Sequence, residues 1–130
     1  MTKFVVFVLA VYGACYYVTK HYEFHDTLEY AKKHTEASYA PAIDYYVGLI
    51  YYQRAEYPKA QEAFTQLLTD FATTGYYAPK ALPMMEDTAE YNRDWDAAKQ
   101  ASKDYIETYP NGKDIELMRK RLELANYQHP

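Results

Sequence analysis

His21 and His25 lie four residues apart, with Glu29 a further turn along if the segment is helical. Imidazoles at that spacing share a helix face and can hold a metal, or ligate a haem or pigment carried by a partner. Lys20 and Asp26 flank them, company in which histidines are ordinarily solvated, and no Cys-x-x-Cys-His haem attachment occurs. Cys15 is the single cysteine, which excludes an internal disulfide and any multi-cysteine metal site. The adjacent acids Glu86 and Asp87 have no histidine near them in sequence and read as a solvated face. There are four glycines, with neither a phosphate-cradling loop nor a nucleophile elbow. The reading is therefore a protein with no catalytic residues, no cofactor and no metal. A net charge of −4 also argues against a nucleic-acid partner.

What the chain does carry is a repeat. Tyr39-Ala40-Pro41 returns as Tyr77-Ala78-Pro79, a step of 38 residues. At the same step Tyr57-Pro58-Lys59-Ala60 aligns with Trp95-Asp96-Ala97-Ala98, and Phe71 with Tyr109. A period of that length marks stacked helical hairpins, each burying its apolar face against its neighbours. The 130 residues allow one domain with a modest core. Seventeen tyrosines are the compositional outlier, suited to half-buried helix packing, to protein interfaces and to membrane–water boundaries.

Phe4 to Val18 is uncharged and bracketed by Lys3 and Lys20. Its 15 residues rise about 22 Å as helix, against about 30 Å for a hydrocarbon core. Snorkelling lysines and headgroup-level Tyr12, Tyr16 and Tyr17 make up the difference in a signal-anchor, the fate expected here. A removable signal lacks a good cleavage site, because Tyr12 stands where a small residue is wanted. Gly13-Ala14-Cys15 resembles the end of a lipobox, which makes Cys15 the candidate lipidation site. The short basic leader leans towards hairpins on the non-cytoplasmic side of a bacterial membrane.

The expected organisation is an anchor over residues 1–20 and a connecting helix over 21–40, continuous with the anchor to about residue 34 and burying Phe24, Leu28 and Ala31. Hairpins follow over 41–75 and 76–112, then a capping helix and tail over 113–130. Pro41, Pro58 and Pro79 suit first helical turns, where a missing N–H costs nothing. Thr73-Thr74-Gly75 is expected to break the first hairpin from the second. Pro83 predicts a kink or a late helix start, and Asp94 predicts a cap for the helix from Trp95. The last helix is expected to bury Ile115, Met118 and Leu122 and to expose Glu116, Arg119, Lys120 and Glu123.

Gly48, Tyr51, Ala60 and Phe64 stand at the spacing of the small, aromatic, small and aromatic packing positions of one known repeat, and Ala98 and Pro110 match it in the second unit. On these residues the region from Pro41 to Pro110 resembles the tetratricopeptide repeat. Trp95, Ala98 and Tyr105 repeat the packing stripe, while Glu86, Ala89 and Ser102 replace the family's Gly, Tyr and Phe. Tyr109-Pro110, an aromatic then proline closing a second helix, is similar to the repeats of bacterial envelope lipoproteins of the barrel-assembly and cell-division-coordination type. The resemblance implies an all-α solenoid. It also implies a partner-binding groove presenting Tyr45, Leu49, Tyr52 and Gln53 from one unit and Asp87, Glu90 and Tyr91 from the next. Tyrosines beside acids suit a basic segment of another protein.

The function expected from sequence is thus a membrane-anchored scaffold or accessory subunit, in a homo- or hetero-oligomeric assembly with other protein subunits. Two alternatives remain: a filament subunit whose hydrophobic helix forms the core, and a small subunit of a redox or photosynthetic membrane complex.

Overall fold

The computed structural model describes residues 1–71 and 75–130, so the Thr73-Thr74 part of the expected break lies outside the described residues. Among the described residues there are seven helices and no strand, and the all-α expectation holds. They are α1 (Thr2–His21), α2 (His25–Lys33), α3 (Ala40–Gln53), α4 (Tyr57–Asp70), α5 (Ala78–Tyr91), α6 (Trp95–Thr108) and α7 (Ile115–Gln128). From α2 onwards each helix packs on the next, and α3–α4 and α5–α6 form the closest pairs.

The repeat seen in sequence is kept in the backbone. Both α3 and α4 recur as α5 and α6 with every boundary displaced by 38 residues. Pro41, Pro58 and Pro79 sit in first turns. Each hairpin turns through one left-handed residue, Ala55 at φ 59° and Arg93 at φ 56°. The N–H of Glu56 bonds the carbonyl of Tyr51 at 2.9 Å, and that of Asp94 bonds Ala89 at 2.8 Å. These are the six-to-one bonds of a Schellman-type helix end, normally built on glycine. Asp94 caps α6, accepting from the N–H of Ala97 at 3.2 Å.

The core runs between the hairpins and is centred on Val47, Tyr51, Phe64, Leu67, Leu82, Tyr105 and Met118. Gly48 lets α3 approach α4: a Cβ there would fall 2.5 Å from the Phe64 ring. One step of 38 residues on, the pair becomes Glu86 and Ser102, both buried, so Glu86 is not on the solvated face expected for it. Bulk has moved from the second helix of the hairpin to the first. Asp44 is likewise fully buried. Gln66 donates to its Oδ1 at 2.9 Å and to the Leu28 carbonyl at 2.7 Å, tying α4 to α3 and α2. Asp44 Oδ2 has no partner, and burial, aided by Asp70, pushes the carboxyl up to about 7 against the Gln66 bond.

Three expectations need correction. The anchor helix does not run on to residue 34: α1 stops at His21 and the chain turns at Tyr22, with ψ 134°. Residues of the first hairpin hold that break, and no local signal announces it. The late helix start offered as one outcome at Pro83 does not occur, since α5 starts at Ala78 and continues past Pro83 to Tyr91. Only the carbonyl of Pro79 loses its helical donor there. A transmembrane span is also not met: among the described residues no helix is long and apolar enough to cross a membrane. α1 is nonetheless fully formed, and its residues Phe4–Val18 are all exposed.

In α7, Met118 and Ala125 are buried while Ile115 and Leu122 are half-buried, and Glu116, Arg119, Lys120 and Glu123 face outward. The helix starts at Ile115 with Asp114 as its N-cap.

Candidate functional site

The first helix of each hairpin and the helix after the second hairpin, α3, α5 and α7, share a polar link. Tyr52 on α3 donates from its hydroxyl to Asp87 Oδ2 on α5. Arg121 on α7 donates from Nη1 to Glu86 Oε2 at 2.7 Å, Asp87 Oδ1 at 3.0 Å and Glu90 Oε2 at 3.0 Å. Helical spacing explains the set, because residues 86, 87 and 90 fall within one turn of α5.

Burial pushes the Glu86 carboxyl up to about 7, with Arg121 opposing and Glu90 assisting. Burial works against the Arg121 charge, yet its bonds to Asp87 and Glu86 outweigh that and hold it above its ordinary value. The bond to Asp87 raises Tyr52, and desolvation adds to it.

Beside this link lies a cleft of about 520 Å³ lined by Asp87, Glu90, Tyr91, Trp95, Arg121 and Leu124. Tyr91, one of its two aromatic lining residues, is held by stacking: it lies parallel to Tyr57 at 4.2 Å, with Tyr52 edge-on to Tyr57 at 5.6 Å. Tyr91 is 56% exposed and Leu124 52%, so this wall is open to a partner.

Glu86, Asp87 and Glu90 can bring one oxygen each within 4.8 Å of one another, and among the described residues they are the one such group of three or more potential metal ligands. The Arg121 guanidinium bonds all three, so the cluster is satisfied as an ion-pair network. A second tyrosine group stands further up α3, where Tyr45 lies 5.4 Å from Tyr46 and 5.5 Å from Tyr77. Lys80 sits 3.8 Å over the ring of Tyr76.

Of the groove residues expected from sequence, Tyr52, Asp87, Glu90 and Tyr91 come together around the α5–α7 cleft. Tyr45 and Leu49 are half-buried higher on α3, and Gln53 is exposed at its end. The packing residues Gly48, Tyr51, Ala60, Phe64, Ala98 and Tyr105 are buried; Trp95 is half-buried and stacks on His129 at 3.7 Å. Arg121, Trp95 and Leu124 were not expected in the groove. For Arg121 and Leu124 the signal is the run Leu117, Arg121, Leu124 at steps of four and three, a second face of α7 beside the one that packs.

His21 closes α1 and His25 opens α2, so the shared helical face their spacing suggested does not exist. His21 packs against the Tyr17 ring at 4.8 Å, and His25 borders a separate hollow between α2 and α4 with Glu29 and Gln66. Cys15 is exposed on α1. No family model matches this chain, and neither a curated protein nor a solved structure does.

Proposed function

We propose that this chain is a non-catalytic scaffold, moored in a membrane by α1, that docks a protein partner on the face of α3, α5 and α7. The observation that carries the reading is the exposed apolar surface of α1. An apolar surface all round a helix has no stable place in water, and something outside the chain must cover it. Lipid suits the pattern without a crossing: α1 can lie along a membrane surface with its uncharged stretch against hydrocarbon and Lys3 and Lys20 at the headgroups.

The tetratricopeptide-like register of the hairpins supports the docking role. Three carboxylates share one guanidinium beside an open aromatic wall, so the favoured partner is a basic segment with apolar side chains. Mooring raises the effective concentration of a weak docking surface, so a shallow groove suffices.

Two measurements test this. In flotation with phosphatidylcholine vesicles the full chain rises with lipid, and Leu9→Asp stays at the bottom. Trp95, the single tryptophan, lines the cleft, so its fluorescence reports titration with a lysine–leucine peptide but not with its glutamate–leucine counterpart. A full chain that ignores vesicles and both peptides ends the proposal. Large assemblies formed without lipid or detergent favour the filament instead, with α1 as its core.

A further inference from the structure

No proline or glycine occurs between Tyr16 and Ala40, yet the helix is interrupted between His21 and His25. Interrupting a helix frees backbone groups that need new partners. Here the first hairpin supplies them from far along the chain. Arg54 donates from Nη1 to the Tyr22 carbonyl at 2.6 Å. The N–H of Phe24 donates to the Tyr51 hydroxyl at 2.7 Å. Between those two points Lys59 Nζ donates to both carboxylate oxygens of Glu23, at 2.9 and 2.8 Å. The Phe24 ring meets Tyr51 edge-on at 5.8 Å.

We infer that residues 22–24 form a clamped hinge which, when released, lets α1 and α2 join as one continuous helix and swings α1 relative to the hairpins. Two features make the states compete. The local sequence contains no helix breaker, so straightening restores helical bonds at little intrinsic cost. The outermost part of the clamp is weak, since Glu23 is 57% and Lys59 43% exposed and solvent ions screen such pairs.

α2 stays in place in both states. Leu28 and Ala31 are buried against the hairpin, and Gln66 holds the Leu28 carbonyl. Arg54 keeps its ion pair with Glu56, Nε to Oε2 at 2.7 Å. The pivot is therefore Tyr22, and the moving body is α1. The hinge itself stands without the membrane reading. Only its consequence, a docking face that tilts relative to the bilayer, rests on that reading.

The native Cys15 is exposed and unique, so one spin label goes there and a second on Lys103→Cys, an exposed position on α6. Pulsed dipolar spectroscopy of the full chain in detergent micelles should give one narrow distance peak. Glu23→Ala and Lys59→Gln should each raise a second narrow peak, about fivefold relative to the first, and about 1 M salt should move the parent the same way. Lys59→Arg, which keeps a positive charge facing Glu23 and Glu56, should leave the first peak in place, which a general sensitivity to substitution would not allow. An unmoved peak in Glu23→Ala and Lys59→Gln overturns the hinge, as does a broad featureless distribution or a shift in Lys59→Arg. Flotation of the same variants is scored separately: lost flotation with shifting peaks removes the anchor and leaves the hinge.

Discussion

Replacing Asp44 by asparagine should change how stability depends on pH more than it changes stability itself. Unfolded, the Asp44 carboxyl loses its proton near the ordinary value of 3.8; folded, it does so at about 7. Between those values the folded chain holds a proton that the unfolded chain has released. Raising the pH therefore drains stability across this window, and the loss is complete above the folded value. Each pH unit inside the window costs about 1.4 kcal/mol, so from pH 5 to pH 8 the contribution falls by about 2.5 kcal/mol.

Asparagine has nearly the same shape, keeps an oxygen for Gln66 and carries no charge at any pH. Its amide replaces Oδ2, which has no partner in the parent either. Urea unfolding followed by circular dichroism, for both proteins at pH 5, 6, 7 and 8, gives the two curves. The gap between them should widen by about 2.5 kcal/mol from pH 5 to pH 8, in favour of Asp44→Asn. Glu86 drains stability in the same direction in both proteins and cancels in the difference. Parallel curves would refute the reasoning, because they would mean that Asp44 ionises alike in the folded and unfolded chain.

Ala55→Gly and Arg93→Gly should each raise stability by about 1 kcal/mol, read as a melting midpoint some ~4 °C higher, because glycine removes the left-handed strain at φ 59° and 56°. Gly48→Ala should cost about 2 kcal/mol, since its Cβ would meet the Phe64 ring, and combining it with Phe64→Leu should recover part of the loss in the same melts. Arg121→Met should cost about 3 kcal/mol at pH 8 and less than half of that at pH 5, where a protonated Glu86 no longer needs the guanidinium; equal losses at both pH values would show that packing, and not charge, is the contribution of Arg121.

How far the fold was legible in sequence follows the range of the interactions. The 38-residue register, the proline-led first turns, the Asp94 cap and the stripe of Ala60, Phe64 and Leu67 are local or periodic, and each appears where the pattern puts it. The break at Tyr22 was illegible because its causes sit at Tyr51, Arg54 and Lys59. The late start offered at Pro83 does not occur because a single missing donor is tolerated when the helix is packed on two sides, by α4 and α6. Of the six residues lining the candidate cleft, Asp87, Glu90 and Tyr91 were among those that the tetratricopeptide resemblance implied for a groove. Arg121 reaches Glu86 from 35 positions away, and no spacing rule connects them.

The exchange of Gly48 and Phe64 for Glu86 and Ser102 gives the two units different neighbours as well as different interiors. The first closes on itself with an aromatic ring. The second closes only when a guanidinium arrives from the helix that follows. A permuted gene placing the second unit ahead of the first would strand a carboxylate indoors with no counter-ion, so the order of modules along this chain is fixed from within.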